Sequence, residues 1–182
     1  RSTLFPYTTL FRSLKNFLDT KLIDDICQKK NTIFDLLPES RIIIKGKAKN
    51  WEEAIKLCGE ALIANNCIGQ GFVTACIERE KSFPTGLPTV IPVAIPHAAS
   101  DEVNITSVCI LKLKNPVEFK RMDDSSESIG ARLVFNLAIK GHNEHLDYLQ
   151  NLIAFVMDEE KVKNCLSLPL NEISIYLENN MS

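Results

Sequence analysis

Short β-branched apolar runs alternate along this chain with stretches of helical period, and that alternation constrains the fold more than any other feature. The runs are residues 41–45 (RIIIK), 90–95 (VIPVAI), 106–113 (TSVCILKL) and 132–139 (RLVFNLAI). The last is almost continuously apolar, as expected of a strand covered on both sides. Between and after the runs come helical patterns. Asn50 is placed to cap a helix, with Glu53 at the capping-box position, and that helix reads to about Ala64. It would bury Ala54, Ile55, Leu57, Cys58, Ala61 and Leu62. A second helix is expected over Gly71 to Lys81. A third covers Asn143 to Met157, with Leu146, Leu149, Leu152, Ile153 and Val156 inward. Further helices are read over Asp158 to Leu166 and onward from Asn171, which is placed to cap the last one, with Ile173, Tyr176 and Leu177 facing in. Strands interleaved with helices predict an α/β fold: a single domain with a mixed sheet of about five strands and helices on both faces.

Prolines and glycines punctuate this pattern. Residues 83–88 (FPTGLP) read as a loop, and residues 123–128 form a polar loop between two strands. Leu14 to Lys30 has helical spacing before a break at Pro38, so residues 14–40 are set apart as an N-terminal extension to a domain spanning 41–179. Residues 1–13 repeat TLF and RS within a few positions, resemble a translated adapter sequence, and are kept out of the fold reading.

Composition excludes some roles. A formal net charge of −2 provides no bulk basic field for nucleic acid or anionic lipid. No apolar run approaches the roughly 20 residues of a membrane span. Six cysteines occur without a CxxC pair, several in apolar stretches, which predicts reduced, mostly buried thiols in a cytoplasmic protein. The Cys and His spacing suggests no metal site, and no cofactor is expected. There is no Walker loop and no GxSxG elbow, which disfavours nucleotide hydrolysis and serine-hydrolase chemistry.

Three histidines remain as candidates: His97, His142 and His145. His97 follows an apolar strand and Pro96, and small residues Ala98, Ala99 and Ser100 come next. The carboxyl end of a strand is where α/β proteins commonly place reactive groups, and a neutral imidazole is a good nucleophile near neutral pH. These features alone leave His97 open to either reading, a loop histidine bonded to its surroundings or a nucleophile. If it accepts a phosphoryl group, cationic or donor groups must surround the oxygens. Arg79, late in the second helix, and His145, at the positive end of the third, are the candidates. Each is also readable as a solvated surface charge, and His142 reads as structural.

Four stretches carry a resemblance. They are Trp51 to Ile55 (WEEAI), Ile77 to Lys81 (IEREK) with Phe83 to Gly86 (FPTG), Val93 to Ala98 (VAIPHA), and Asn143 to His145 (NEH). Together they resemble the mannitol/fructose-type IIA domains of the bacterial phosphoenolpyruvate-dependent sugar phosphotransferase system. The FPTGL segment and the Arg121 to Asp124 loop look more like the galactitol branch. The resemblance implies a phosphocarrier. His97 would take phosphate from phospho-HPr and pass it to a IIB component, on cysteine in the galactitol and mannitol branches, in the service of a IIC membrane permease. Arg79 would contact the phosphoryl oxygens, and His145 would bond the phosphoryl group or hold His97. Thr85 is a further candidate hydroxyl, and Phe83, Leu87 and Ile91 are candidates for a docking rim. The same domain type also occurs in a nitrogen-related regulatory branch and inside transcription regulators, where phosphorylation is a signal. A binding module without phosphorylation is a third reading, and the joint presence of His97, Arg79 and His145 argues against it.

Overall fold

The computed structural model describes residues 41–141 and 145–180, the side chains of residues 145–148 excepted. The expectations for residues 1–40, including Cys27, for His142 and for the side chain of His145 fall outside the described residues. The elements, in chain order, are β1 (Arg41–Gly46), α1 (Trp51–Ala64), α2 (Gln70–Ser82), β2 (Gly86–Leu87), β3 (Val93–Ala94), β4 (Ser107–Lys120), β5 (Ser128–Ala138), α3 (His145–Val156), α4 (Glu159–Ser167) and α5 (Leu170–Asn180).

The five strands form one mixed sheet in the order β1-β4-β5-β3-β2. β1 runs parallel to β4 and β3 parallel to β5, while β4 and β5 are antiparallel, as are β2 and β3. Strand alternation sends successive side chains to opposite faces, and each face carries its own core. Ile110, Leu133, Phe135 and Leu137 pack with Leu152, Val162, Ile173 and Leu177 of α3, α4 and α5. Cys109, Leu111, Val134 and Ala138 pack with Ile55, Leu62, Phe72 and Cys76 of α1 and α2. The expected mixed sheet covered on both faces is therefore present.

The helix starts follow local chemistry. Asn50 adopts an extended conformation and its side chain accepts the Glu53 N–H at 2.9 Å, ahead of α1. Glu53 reaches back to the Lys49 N–H at 2.8 Å, one residue before the cap. Asp158 caps α4 by accepting from the Lys161 N–H. α2 has no such cap of its own, because Gly69 holds the cap position. The carboxylate of Glu102, from the segment after His97, accepts the Gly71 N–H at 2.7 Å instead. α5 begins at Leu170, so Asn171 lies inside the helix and is not its cap.

The strands depart from expectation in four places. β5 begins at Ser128, four residues before the expected Arg132. β4 continues past Leu113 through Pro116 to Lys120, because the ladder with β5 is interrupted by a register shift between Lys112 and Val117 and then resumes. An irregularity of this kind lets a strand absorb a proline and bend. β3 is only two residues long, since Pro92 and Pro96 flank it without N–H donors. The expected loop at 83–88 contains β2, which pairs with β3. At Gly86 a Cβ would stand 2.5 Å from the Lys120 carbonyl oxygen, so only glycine fits this approach of β2 to the end of β4.

Candidate functional site

His97 lies just beyond β3, where the chain still runs beside β5. It forms an isolated bridge with Leu137, whose N–H donates to the Pro96 carbonyl at 3.0 Å. The residue is half-buried. Its Nδ1 lies 2.8 Å from the Ile95 carbonyl oxygen. A carbonyl oxygen can only accept, so Nδ1 carries the proton and, in the neutral ring, Nε2 carries the lone pair. The backbone two residues upstream thus selects the tautomer.

The segment facing this strand end is the α2–β2 connection. The β2–β3 pairing extends to a bond from the Ile95 N–H to the Thr85 carbonyl at 3.1 Å. Behind it, Thr85 is itself held by Glu80 of α2. The Thr85 N–H donates to Glu80 Oε1 at 2.9 Å and its hydroxyl to Oε2 at 2.7 Å. Glu80, Thr85, Ile95 and His97 therefore form one continuous hydrogen-bonded path from helix to imidazole. Glu80 is 5% exposed and Thr85 2%. Burial pushes the Glu80 carboxyl up to about 7, against the two Thr85 donors and the nearby Arg79 charge, which favour its ionised form.

Arg79 belongs to the last turn of α2. Its guanidinium stands 5.9 Å from the centroid of the Phe83 ring, and Nη1 donates to the Phe83 carbonyl at 3.3 Å. The cation is thereby held at the turn leading to Thr85. His145 is the first residue of α3, the helix that follows β5, the strand bridged by His97.

The remaining candidates fall differently. The Thr85 hydroxyl is engaged with Glu80, so it supports the loop from within. Leu87 is 1% exposed, inside the core, and offers no surface to a partner. Ile91 is half-buried and lies in the turn beyond the β2–β3 pairing, on its far side from His97. Phe83, 40% exposed, is the one of the three docking candidates that is both exposed and next to the site. Glu80 was missed in the sequence because it sits in a charged run, Glu78 to Lys81. The spacing Val73, Cys76, Glu80 on α2 was the available signal, since it puts Glu80 on the buried stripe.

The cysteines in the described part, Cys58, Cys67, Cys76, Cys109 and Cys165, are free and buried. Burial pushes Cys76 and Cys165 up to about 12 and raises Cys58 as well, so these thiols stay protonated. Among the described residues no group of three metal-binding side chains converges, and no helix is long and apolar enough to cross a membrane.

Residues 35–179 match the family described as "Phosphoenolpyruvate-dependent sugar phosphotransferase system, EIIA 2". The mannitol-specific phosphotransferase enzyme IIA component of Bacillus subtilis is 31% identical over 150 residues, covering 81% of this chain and 99% of that protein. A galactitol-specific EIIA component of Escherichia coli is 25% identical over 125 residues, 68% of this chain and 83% of that protein. The structure of the Escherichia coli mannitol enzyme IIA in complex with phosphorylated enzyme IIB superposes with a TM-score of 0.63 at 28% identity. That match covers 80% of this chain and 98% of the other. The chain belongs to the EIIA 2 family of the phosphoenolpyruvate-dependent sugar phosphotransferase system, as a IIA phosphotransferase component.

Proposed function

We propose that His97 is the residue that carries the phosphoryl group, through Nε2. The observation that carries this reading is the 2.8 Å contact between Nδ1 and the Ile95 carbonyl, which leaves the nucleophilic lone pair on Nε2. In the first step that lone pair forms a P–N bond to the phosphoryl group of phospho-HPr. The donor's P–N bond breaks, and its electron pair stays on the departing imidazole. The positive charge that develops on the His97 ring is shared through Nδ1–H with the Ile95 carbonyl. In the second step a nucleophile of IIB, a cysteine thiolate, attacks phosphorus and the bonding pair returns to Nε2. Transfer of this kind passes through a loose transition state, so positioning and charge stabilisation supply most of the catalysis.

Arg79 is assigned to the phosphoryl oxygens, since its guanidinium is fixed at the turn beside the strand end that bears His97. His145 is assigned to the same group from the start of α3, where the helix dipole also favours an anion. Phe83 is assigned to the rim that meets HPr and IIB. The substrate class we assign to the pathway is a hexitol: the mannitol-specific relative is the more similar of the two named above, while the FPTGL and Arg121 to Asp124 segments lean to galactitol.

The test is incubation with phosphoenolpyruvate, enzyme I and HPr, followed by detection of acid-labile phosphoprotein. His97→Ala is expected to abolish the label while keeping the folded spectrum. Persistence of label in that variant would sink the assignment. Pairing with mannitol- and galactitol-type IIB domains then separates the two hexitols by transfer rate.

A further inference from the structure

A second feature lies at the opposite end of the sheet. A cleft of about 830 Å³ opens where β1 ends, where β4 reaches its register shift and where β5 passes them, closed on one side by the α4–α5 connection. Its volume falls in the range of small-molecule sites, ~300–1,000 Å³. Arg132 on its wall precedes Leu137, the bridge partner of His97, by five residues along β5, which is about 17 Å of strand. The cleft is therefore separate from the His97 site.

Its lining is strongly one-signed. Lys45, Lys47, Lys112, Lys114 and Arg132 all line it, and no carboxylate does among the described residues. None of the five takes part in an ion pair among the described residues. This concentration occurs in a chain whose net charge is −2. Lys45 and Lys112 are register partners on adjacent strands, and like charges placed so closely repel. Among the described residues, Lys112 alone of the five has a hydrogen-bond acceptor: its Nζ donates to the Leu168 carbonyl at 2.9 Å, which orients the ammonium and leaves it further donors. Leu113, Leu168 and Pro169 supply an apolar floor, and α5 begins at Leu170 on the rim. A helix start adds backbone donors and a positive dipole end to a site already positive by its side chains.

We propose that this cleft binds a small phosphate ester. The cations would hold the phosphate, and the floor would take the carbon body. A multivalent anion relieves the mutual repulsion of five cations, whereas a monovalent one relieves little of it. The concave shape fits a small molecule better than a flat polyanionic surface. Occupation of this cleft is independent of which residue carries the phosphoryl group in transfer.

The test is an amide chemical-shift titration of the full chain with three probes: mannitol 1-phosphate, mannitol and inorganic phosphate. The ester is expected to shift Gly46, Leu113, Ser167 and Leu168, with mannitol silent and inorganic phosphate at least ten-fold weaker. The double variant Lys45→Ala/Lys114→Ala, at exposed positions, is expected to weaken ester binding at least ten-fold. His97→Ala is expected to bind as the parent chain does, which separates this result from the transfer reading. Three results would overturn the proposal: no shift at these amides at millimolar ester, equal binding of ester and inorganic phosphate, or undiminished binding by the double variant.

Discussion

Glu80 grips Thr85 with both carboxylate oxygens, one on the backbone N–H at 2.9 Å and one on the hydroxyl at 2.7 Å. This buried clasp ties the end of α2 to the β2–β3 pair, and through the Ile95 backbone it reaches the imidazole of His97. The helix that carries Arg79 and the strand end that carries His97 are thus fixed relative to one another by backbone and one carboxyl group. On the proposed assignment of His97 and Arg79 to phosphoryl transfer, this pre-set geometry would present both groups together to a large partner.

The first prediction concerns pH. Burial raises the Glu80 carboxyl to about 7 from an ordinary 4.5, so the folded protein prefers it protonated. A raised folded pKa contributes stability that is fully present below about pH 4.5 and lost as pH rises through about 7. Across that window the loss amounts to roughly 3 kcal/mol. Glu80→Gln presents an oxygen to the Thr85 N–H and an amide donor to its hydroxyl, as the protonated acid would. Denaturant unfolding at pH 5 and pH 8 should show the variant matching the parent at the lower pH and exceeding it at the higher. A variant less stable at pH 8 would mean that the ionised form is the favoured one.

The second prediction separates support from contact at Thr85. Thr85→Val removes the hydroxyl and keeps the shape, leaving a buried carboxyl oxygen without its donor. Stability should fall by about 1–3 kcal/mol. Phosphoryl transfer at a temperature where the variant is folded should stay within about three-fold of the parent, because the hydroxyl is directed to Glu80. A transfer rate reduced by far more than the stability loss explains would return Thr85 to the phosphoryl group.

The outcome at Glu80 and Thr85 shows which parts of the molecule are legible from residues alone. The Asn50 cap and the end of α1 at Ala64 were readable, because capping chemistry is local. The inward stripes of the helices were readable from their period. β4 was read seven residues short, since a proline argues against a strand unless a register shift accommodates it, and that shift depends on the partner strand. The position of His97 after a strand was legible, but its tautomer was not. That rests on the Ile95 carbonyl turning toward Nδ1, a backbone detail that no side-chain pattern encodes. The basic cleft was equally hidden, because Lys45, Lys112 and Arg132 are far apart in sequence and meet only through the β1-β4-β5 order.

A third prediction tests the fork geometry of Arg79. Arg79→Lys keeps the charge but loses the planar guanidinium that lies against Phe83 and bonds its carbonyl. The transfer rate from phospho-HPr should fall about 10- to 100-fold, with the melting temperature nearly unchanged. Lysine supporting the parent rate would show that charge alone suffices at this position.

The buried thiols give a fourth. Cys58, Cys76 and Cys165 are held protonated by burial, and thiolate is the reactive form. Maleimide labelling read by peptide mass spectrometry should miss these three in the folded protein and reach them in denaturant. Rapid labelling of any of them under native conditions would contradict the packing of the α1–α2 or α4 layer.

The last prediction concerns Glu102, which lies five residues after His97 and caps α2, the helix that carries Arg79 in its last turn. Its carboxylate accepts the Gly71 N–H at 2.7 Å, and the Gly69 N–H donates to its backbone carbonyl at 2.8 Å. Because Gly69 has no side chain to cap α2, this remote carboxylate supplies the cap and a favourable charge at the helix start. Glu102→Ala should cost about 1–2 kcal/mol by comparison with ordinary caps. Gly71→Ala should cost no more than that, since its Cβ would fall 2.2 Å from Glu102 Oε1, the movable end of a side chain that can swing away with loss of the cap, while alanine within the helix recovers about 1 kcal/mol. If the cap is the only link broken, Gly71→Ala in a Glu102→Ala background should cost far less than in the parent. A double-mutant cycle read by denaturant unfolding measures that coupling directly, and strict additivity would show that the two residues stabilise α2 independently.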